Sequence, residues 1–259
     1  MAINIKTSEE IQTMRKCGKI LGEILEQLAS LAIPGATTAD LEREAESLFE
    51  EAGVKPSFKG YHGYPAILCT SVNEEVVHTI PSDERPFEIG DILSIDAGAT
   101  LNGLITDSAI AVIVGRKDAA EPSTRKFVQT CIDALWAGIH EVKPGARFGD
   151  ISHAIGKTTA DSGYNIIPEL TGHGVGHNLH EDPIIPNDAP AGSGETLKPG
   201  MTFALEPIIT MGKPKIRTLA DGWNIITKDG RLACQHEHTV LVTETGVEVL
   251  TLRPSENLQ

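Results

Sequence analysis

The segments PGATTADL (34–41) and PGARFGDI (144–151) repeat one pattern, Pro-Gly-Ala-x-x-x-Asp followed by an apolar residue, 110 residues apart. The same offset carries Gly53 onto Gly163, Gly90 onto Gly200 and Asp96 onto Glu206. A chain that repeats itself over this length is expected to fold as two similar halves, about 7–115 and 119–252, sharing one core within a single domain over 1–259. A pseudo-twofold axis between such halves brings equivalent positions together. Duplication by itself says nothing about chemistry; it supplies geometry.

Each half reads as two helices followed by strands. Thr7-x-x-Glu10 is a capping box that opens a helix with apolar residues at Ile11, Met14, Leu21, Leu25 and Leu28. A second helix follows Pro34 and Gly35, buries Leu41, Ala45, Leu48 and Phe49, and stops at Gly53. Pro122 and Ser123 precede Phe127, Cys131, Leu135 and Ile139 in the third, and residues 150–162 match the second helix. Strands are expected over 66–73, 92–99, 104–114, 201–210 and 236–242. The pattern predicts an α+β fold in which helices cover a largely antiparallel sheet.

Composition narrows the function. A formal charge of −14 and a pI near 5.0, with no basic stripe, argue against direct nucleic-acid binding. Cys17, Cys69, Cys131 and Cys234 lie far apart with no C-x-x-C, which fits neither a disulfide framework nor a zinc ribbon. With no targeting segment and no long apolar run, the chain is expected in the reducing cytoplasm, away from membranes.

Against that background, Asp96, Asp107, His173, Glu206 and Glu237 each fall within an apolar, strand-like segment. Burying an ionised carboxylate costs several kcal/mol unless a cation compensates it. Two divalent cations would balance the four carboxylates. Asn102-Gly103 between two apolar runs signals a two-residue hairpin turn. Pairing Leu101 with Leu104 then sets Asp96 opposite Ala109 and diagonal to Asp107 on one face, within reach of a shared site. An exposed sheet edge is the alternative reading of that pair.

TGHGVGHNLHEDP (171–183) places three histidines in a glycine-rich stretch, where glycine lets the backbone approach whatever the rings hold. Spacing alone does not choose among His173, His177 and His180. ALEP (204–207) and QHEHTV (235–240) set Glu206 and Glu237 in apolar strands, and about twenty extra residues separate the second half's strands.

SVNEEVVHTIP, SIDAG, ITDSA, TGHGVGHNLHEDP, ALEP and CQHEHT, in that order, resemble type I methionine aminopeptidase of the pita-bread fold (peptidase family M24) across nearly the whole chain. The resemblance implies a curved antiparallel sheet, built by pseudo-twofold duplication and covered by helices. It implies two divalent metal ions, with Asp96 on one, His173 and Glu206 on the other, and Asp107 and Glu237 bridging. The ligand types suit Co, Mn, Fe or Zn. His180 is expected to hydrogen-bond the scissile carbonyl, His78 to contact the peptide nitrogen, and Glu206 to move the proton as well as ligate. Phe58, Tyr61, His62, Tyr64, Cys69, Leu179 and Trp223 would form the methionine pocket, an apolar and thiol-lined slot suited to a thioether.

By the same resemblance the substrates are N-termini of nascent proteins, with the ribosome as a candidate docking partner and a monomer as the working form. Thr79 stands where relatives usually have glycine, and its side chain is expected to narrow the cleft or add a hydroxyl there. Val77, Phe58 and Leu179 also depart from common choices and affect pocket shape. A prolidase-like Xaa-Pro peptidase shares the ligand plan but usually carries a large N-terminal domain. Type II relatives insert a helical subdomain between the last two glutamates, here only 31 residues apart. A non-catalytic pita-bread binding protein would have lost ligands, and all five are present.

Overall fold

Helix α1 (Ser8–Ser30) begins where Thr7 and Glu10 satisfy each other's backbone donors: Thr7 N–H donates to Glu10 Oε2 at 2.7 Å and Glu10 N–H to Thr7 Oγ1 at 3.3 Å. The computed structural model describes residues 3–115 and 120–256. The expected start of the second half, residue 119, lies outside them. Helix α2 (Thr38–Ala52) ends on Gly53 in the left-handed region. Helices α3 (Pro122–His140) and α4 (Phe148–Asp161) repeat the pair in the second half.

The repeated motif has a structural reason. Its glycine, Gly35 or Gly145, turns the chain at φ +87° or +88°. Its aspartate then caps the helix: Thr37 N–H donates to Asp40 Oδ2 and Arg147 N–H to Asp150 Oδ2, both at 2.8 Å. One turn and one cap recur at the same offset because each half starts its second helix in the same way.

Among the described residues every pair of strands in the sheets is antiparallel, and the strands fall into four ladders of four, five, three and three. In the first half Leu68–Val72 pairs with Ile92–Leu101, which pairs with Leu104–Ile113. In the second, Thr171–Gly174 pairs with Thr202–Leu205, which pairs with His238–Val242. The two halves thus share one strand order. Helices α1 and α2 close over the first ladder through Leu21, Leu25, Leu28, Leu41 and Phe49, with α3 and α4 over the second through Leu135, Ile139, Ile151 and Ile155. Burying each such side chain is worth roughly 1.5–3 kcal/mol relative to exposure.

The hairpin register is the expected one, with Leu101 opposite Leu104, Asp96 opposite Ala109 and Gly98 opposite Asp107. Asn102 and Gly103 both have positive φ, as the turn requires. The second half differs from the expectation. Residues 201–210 form two strands, Thr202–Leu205 and Ile208–Thr210, and Ala233–Gln235 is separate from His238–Val242. Glu206 and Glu237 therefore sit in breaks between strands. Pro207 cannot donate to a ladder, and the chain changes sheets there: Thr202–Leu205 pairs with His238–Val242, whereas Ile208–Thr210 pairs with Ala233–Gln235.

Candidate metal centre and substrate cleft

The residues expected at the site converge on one cleft of about 850 Å³. Asp96, Asp107, His173, Glu206 and Glu237 line it, together with His78, His180, Phe58, Tyr61, His62, Tyr64, Cys69, Leu179 and Trp223. Asp96 and Asp107 reach it from the two strands of the first hairpin, His173 from the strand Thr171–Gly174, and Glu206 and Glu237 from the sheet-changing breaks.

At the centre, ligand atoms of Asp107, His173 and Glu237 all lie within 4.8 Å of one another. His173 Nε2 is 3.8 Å from Asp107 Oδ2 and 3.6 Å from Glu206 Oε1. Its other nitrogen, Nδ1, lies 2.9 Å from Gly174 O, which fixes the ring and turns Nε2 toward the carboxylates. Asp96 Oδ1, Asp107 Oδ1 and Glu237 Oε1 are buried and have no hydrogen-bond partner among the described residues. Buried carboxylate oxygens without donors call for a cation, so the residues present fit a bound metal by both chemistry and placement.

Without a cation the charges shift. Burial pushes the Asp96 carboxyl up to about 7, with the Gln235 amide pulling the other way. Burial, then repulsion among the carboxylates, moves Asp107, Glu206 and Glu237 well above the usual range. Burial pushes His173 down to about 3. Carboxylates of the unfolded chain titrate near 4, so the metal-free native state holds extra protons above that pH. For Asp96 this loses stability as pH climbs from about 4 through 7, and the other three act in the same direction, while His173 acts oppositely between about 3 and 6.5. Cation binding must expel the retained protons. Calorimetry with manganese in buffers of different ionisation enthalpy is expected to show net proton release at pH 6.5; binding with no release at that pH contradicts this charge state.

Around the cluster, His180 Nδ1 is 2.9 Å from the Tyr61 hydroxyl and its ring centroid is 4.2 Å from that of His173. Desolvation, then the neighbouring His78 and His62, lowers its pKa, so the ring is neutral at pH 7. His78 is exposed at the mouth but crowded by protein, and that desolvation lowers its pKa too; its φ of +59° is a strained backbone for a non-glycine residue.

Phe58, Tyr64, Cys69 and Leu179 form one buried apolar cluster with Tyr61 and Trp223 against it. Tyr64 meets Trp223 edge to face at 5.1 Å between centroids and donates its hydroxyl to Leu68 O at 2.8 Å. Gly98 leaves room for Phe58, whose ring would lie 2.9 Å from a Cβ there.

One open choice closes and two expectations change. Of the histidines left open by spacing, His177 turns away to Glu10, Nε2 to Oε1 2.6 Å. Thr79 is buried and does not line the cleft; its hydroxyl accepts from Ser71 at 3.3 Å and its carbonyl accepts from Tyr64, so it neither narrows the cleft nor adds a hydroxyl there. Gly172 serves sheet packing rather than a ligand, since a Cβ there would lie 2.5 Å from Ala204 O.

Two side chains that sequence reasoning passed over also belong here. Gln235 Nε2 lies 3.2 Å from both Asp96 Oδ2 and Glu206 Oε2. Its position two residues before Glu237, on the same side of an extended segment, was the available signal. Lys6 forms a buried ion pair with Glu181 at 2.7 Å, and Glu181 also accepts from Asn178 N–H at 2.9 Å, tying the N-terminal segment to the loop that carries Leu179 and His180. No local pattern joins residues 175 apart.

A buried cluster of carboxylates and one imidazole on the floor of an open cleft defines the class as a metal-dependent hydrolase. The comparisons with known proteins place it more closely. The chain belongs to metallopeptidase family M24, whose pattern matches residues 12–244. A methionine aminopeptidase of Clostridium acetobutylicum is 42% identical over 250 residues, which cover 96% of this chain and 99% of that protein. The crystal structure of a methionine aminopeptidase from Thermotoga maritima superposes with a TM-score of 0.94 at 42% identity, covering 97% of this chain and 100% of that one. A prolidase from Pyrococcus furiosus shares the pita-bread fold alone: TM-score 0.76, 24% identity, 98% of this chain but 66% of that one.

Proposed function

We propose that this protein removes the N-terminal methionine from peptides and nascent proteins whose second residue is small. The observation that carries the reading is the cluster of partnerless carboxylate oxygens beside an apolar, thiol-bearing pocket within one cleft. The names of the similar proteins, methionine aminopeptidases matched over nearly their whole length, support it.

In this reading residues 1–259 act as a single catalytic domain. Asp96 would hold one divalent cation, His173 and Glu206 a second, and Asp107 and Glu237 would serve both. One imidazole among carboxylates suits Mn, Fe, Co or Zn. When bound, the cations supply Lewis acidity and a water that ionises near neutrality. Glu206, whose Oε1 lies 3.6 Å from His173 Nε2, would accept and pass on a proton there. His180, neutral and oriented by Tyr61, donates to the carbonyl oxygen as charge develops on it. His78 at the mouth contacts the peptide nitrogen next to the bond that breaks. Phe58, Tyr61, His62, Tyr64, Cys69, Leu179 and Trp223 take up the methionine side chain. The protein works as a monomer in the cytoplasm on N-termini leaving the ribosome. Among the described residues no helix is long and apolar enough to cross a membrane.

Metal-reconstituted protein is expected to release methionine from Met-Ala and Met-Gly peptides and to act poorly on Met-Lys peptides. Hydrolysis of Ala-Pro without methionine release would move the assignment to a prolidase-like peptidase. Metal binding with no hydrolysis of any peptide would leave a non-catalytic binding protein.

A further inference from the structure

The strand carrying Asp107 and the break carrying Glu237, between Ala233–Gln235 and His238–Val242, come from different halves and different sheets. Where they meet, Glu237 N–H donates to Ala109 O at 2.8 Å. The Thr239 hydroxyl accepts from Asp107 N–H at 2.9 Å and donates to Asp107 O at 2.7 Å. Ser108 donates its hydroxyl to Glu237 O at 2.7 Å. The separation of the two acidic side chains thus depends on a handful of bonds at a seam between sheets, not on a continuous ladder.

Arg253, from the segment after the last strand (Val247–Val249), lies behind that seam and is 1% exposed. Its Nη2 donates to Ala109 O at 2.5 Å and Glu237 O at 3.1 Å, and lies 3.3 Å from Ser108 Oγ. One guanidinium edge therefore spans both segments. The other edge meets Glu256, with Nη1 to Oε1 at 2.7 Å. Glu256 also lies 3.3 Å from His238 Nε2 and 3.6 Å from His236 Nε2. These two histidines flank Glu237 and point away from the cleft, each toward the Arg253–Glu256 pair. Ligand atoms of His236, His238 and Glu256 come close enough together to suggest a second cation site. The guanidinium stands among them and takes the place a cation would need.

A guanidinium suits this task because its planar fork carries several donors at fixed angles and its charge persists at any working pH. A lysine offers one point charge on a flexible stem. Burying an arginine is costly unless it is paired; here Nη2 is spent on the two segments and Nη1 on the carboxylate that holds it, while Nε–H has no partner among the described residues.

We propose that Arg253, held in place by Glu256, is a positioning residue for the metal centre: it clamps the segments bearing Asp107 and Glu237 at the separation that would let both carboxylates serve the cations. The inference rests on the proposed assignment of those two residues as metal ligands. Partners that orient a ligand from behind typically matter 10–100-fold in metal affinity.

The test is calorimetric titration of full-length protein, parent and the variants Arg253→Met, Arg253→Lys and Glu256→Gln, with manganese, alongside melting temperature and separate kcat and KM on a Met-Ala peptide. R253M and E256Q are expected to bind manganese 10–100-fold more weakly, with kcat lowered and KM for peptide little changed, and R253K to recover part of the affinity. Should R253M fail to fold, E256Q decides by the same criterion. A manganese Kd within about twofold of the parent, with only the melting temperature lowered, makes the pair a brace of the fold and overturns the inference. A parent protein that binds no divalent metal overturns both the inference and the metal assignment beneath it.

Discussion

Replacing Asp107 by alanine is expected to lower kcat/KM on a Met-Ala peptide by about a thousandfold or more. Even partners that only orient a metal ligand matter about 10–100-fold, and Asp107 is proposed as a ligand shared by both cations. The backbone at Asp107 is held through its own N–H and C=O by Thr239, so the substitution removes the carboxylate and leaves the strand in place. The same substitution deletes one of four buried, mutually repelling acids. The melting temperature of the metal-free variant is therefore expected to equal or exceed that of the parent, while its gain on adding manganese shrinks. Turnover at the parent rate with metal present would sink the proposed chemistry. A lowered metal-free melting temperature would show that the loss came from the fold instead.

His180→Ala is expected to cost about 10²–10³ in kcat, the range seen when one donor to a developing oxyanion is removed. Unlike the Asp107 variant, it should bind manganese with an affinity close to the parent's, because His180 meets the cluster edge through ring contact with His173 and contributes no ligand. Tyr61→Phe should have a smaller effect in the same direction, since Tyr61 orients the His180 ring through Nδ1 without touching the carbonyl. A large loss of metal affinity in the His180 variant would reassign it to the metal centre.

Much of this was legible from the residues. Period-2 patterning and the Asn102-Gly103 turn sufficed for the relation between Asp96 and Asp107, because a two-residue hairpin leaves one register and strand side chains alternate strictly. The offset of 110 residues anticipated the paired helices, whose start depends on a local turn and cap. Thr79 was misjudged because a sequence position says which residue is near the cleft but not which way its side chain turns; Ser71 decides that. The strand expected over 201–210 broke because apolar patterning does not record a change of pairing partner.

The sequence by itself determined the two-half plan, the helices, the first hairpin and the set of acidic side chains proposed to hold the cations, since each of these rests on local geometry or on the cost of burying charge. Only the tertiary structure decided how the halves meet: Glu206 and Glu237 at breaks where the chain changes sheets, Gln235 between Asp96 and Glu206, Lys6 on Glu181, and Arg253 behind Glu237 and Ala109. These contacts join residues far apart in the chain, where no periodicity or turn chemistry couples them. Their pairing is chosen by the packing of whole elements and by the requirement that buried polar groups find partners.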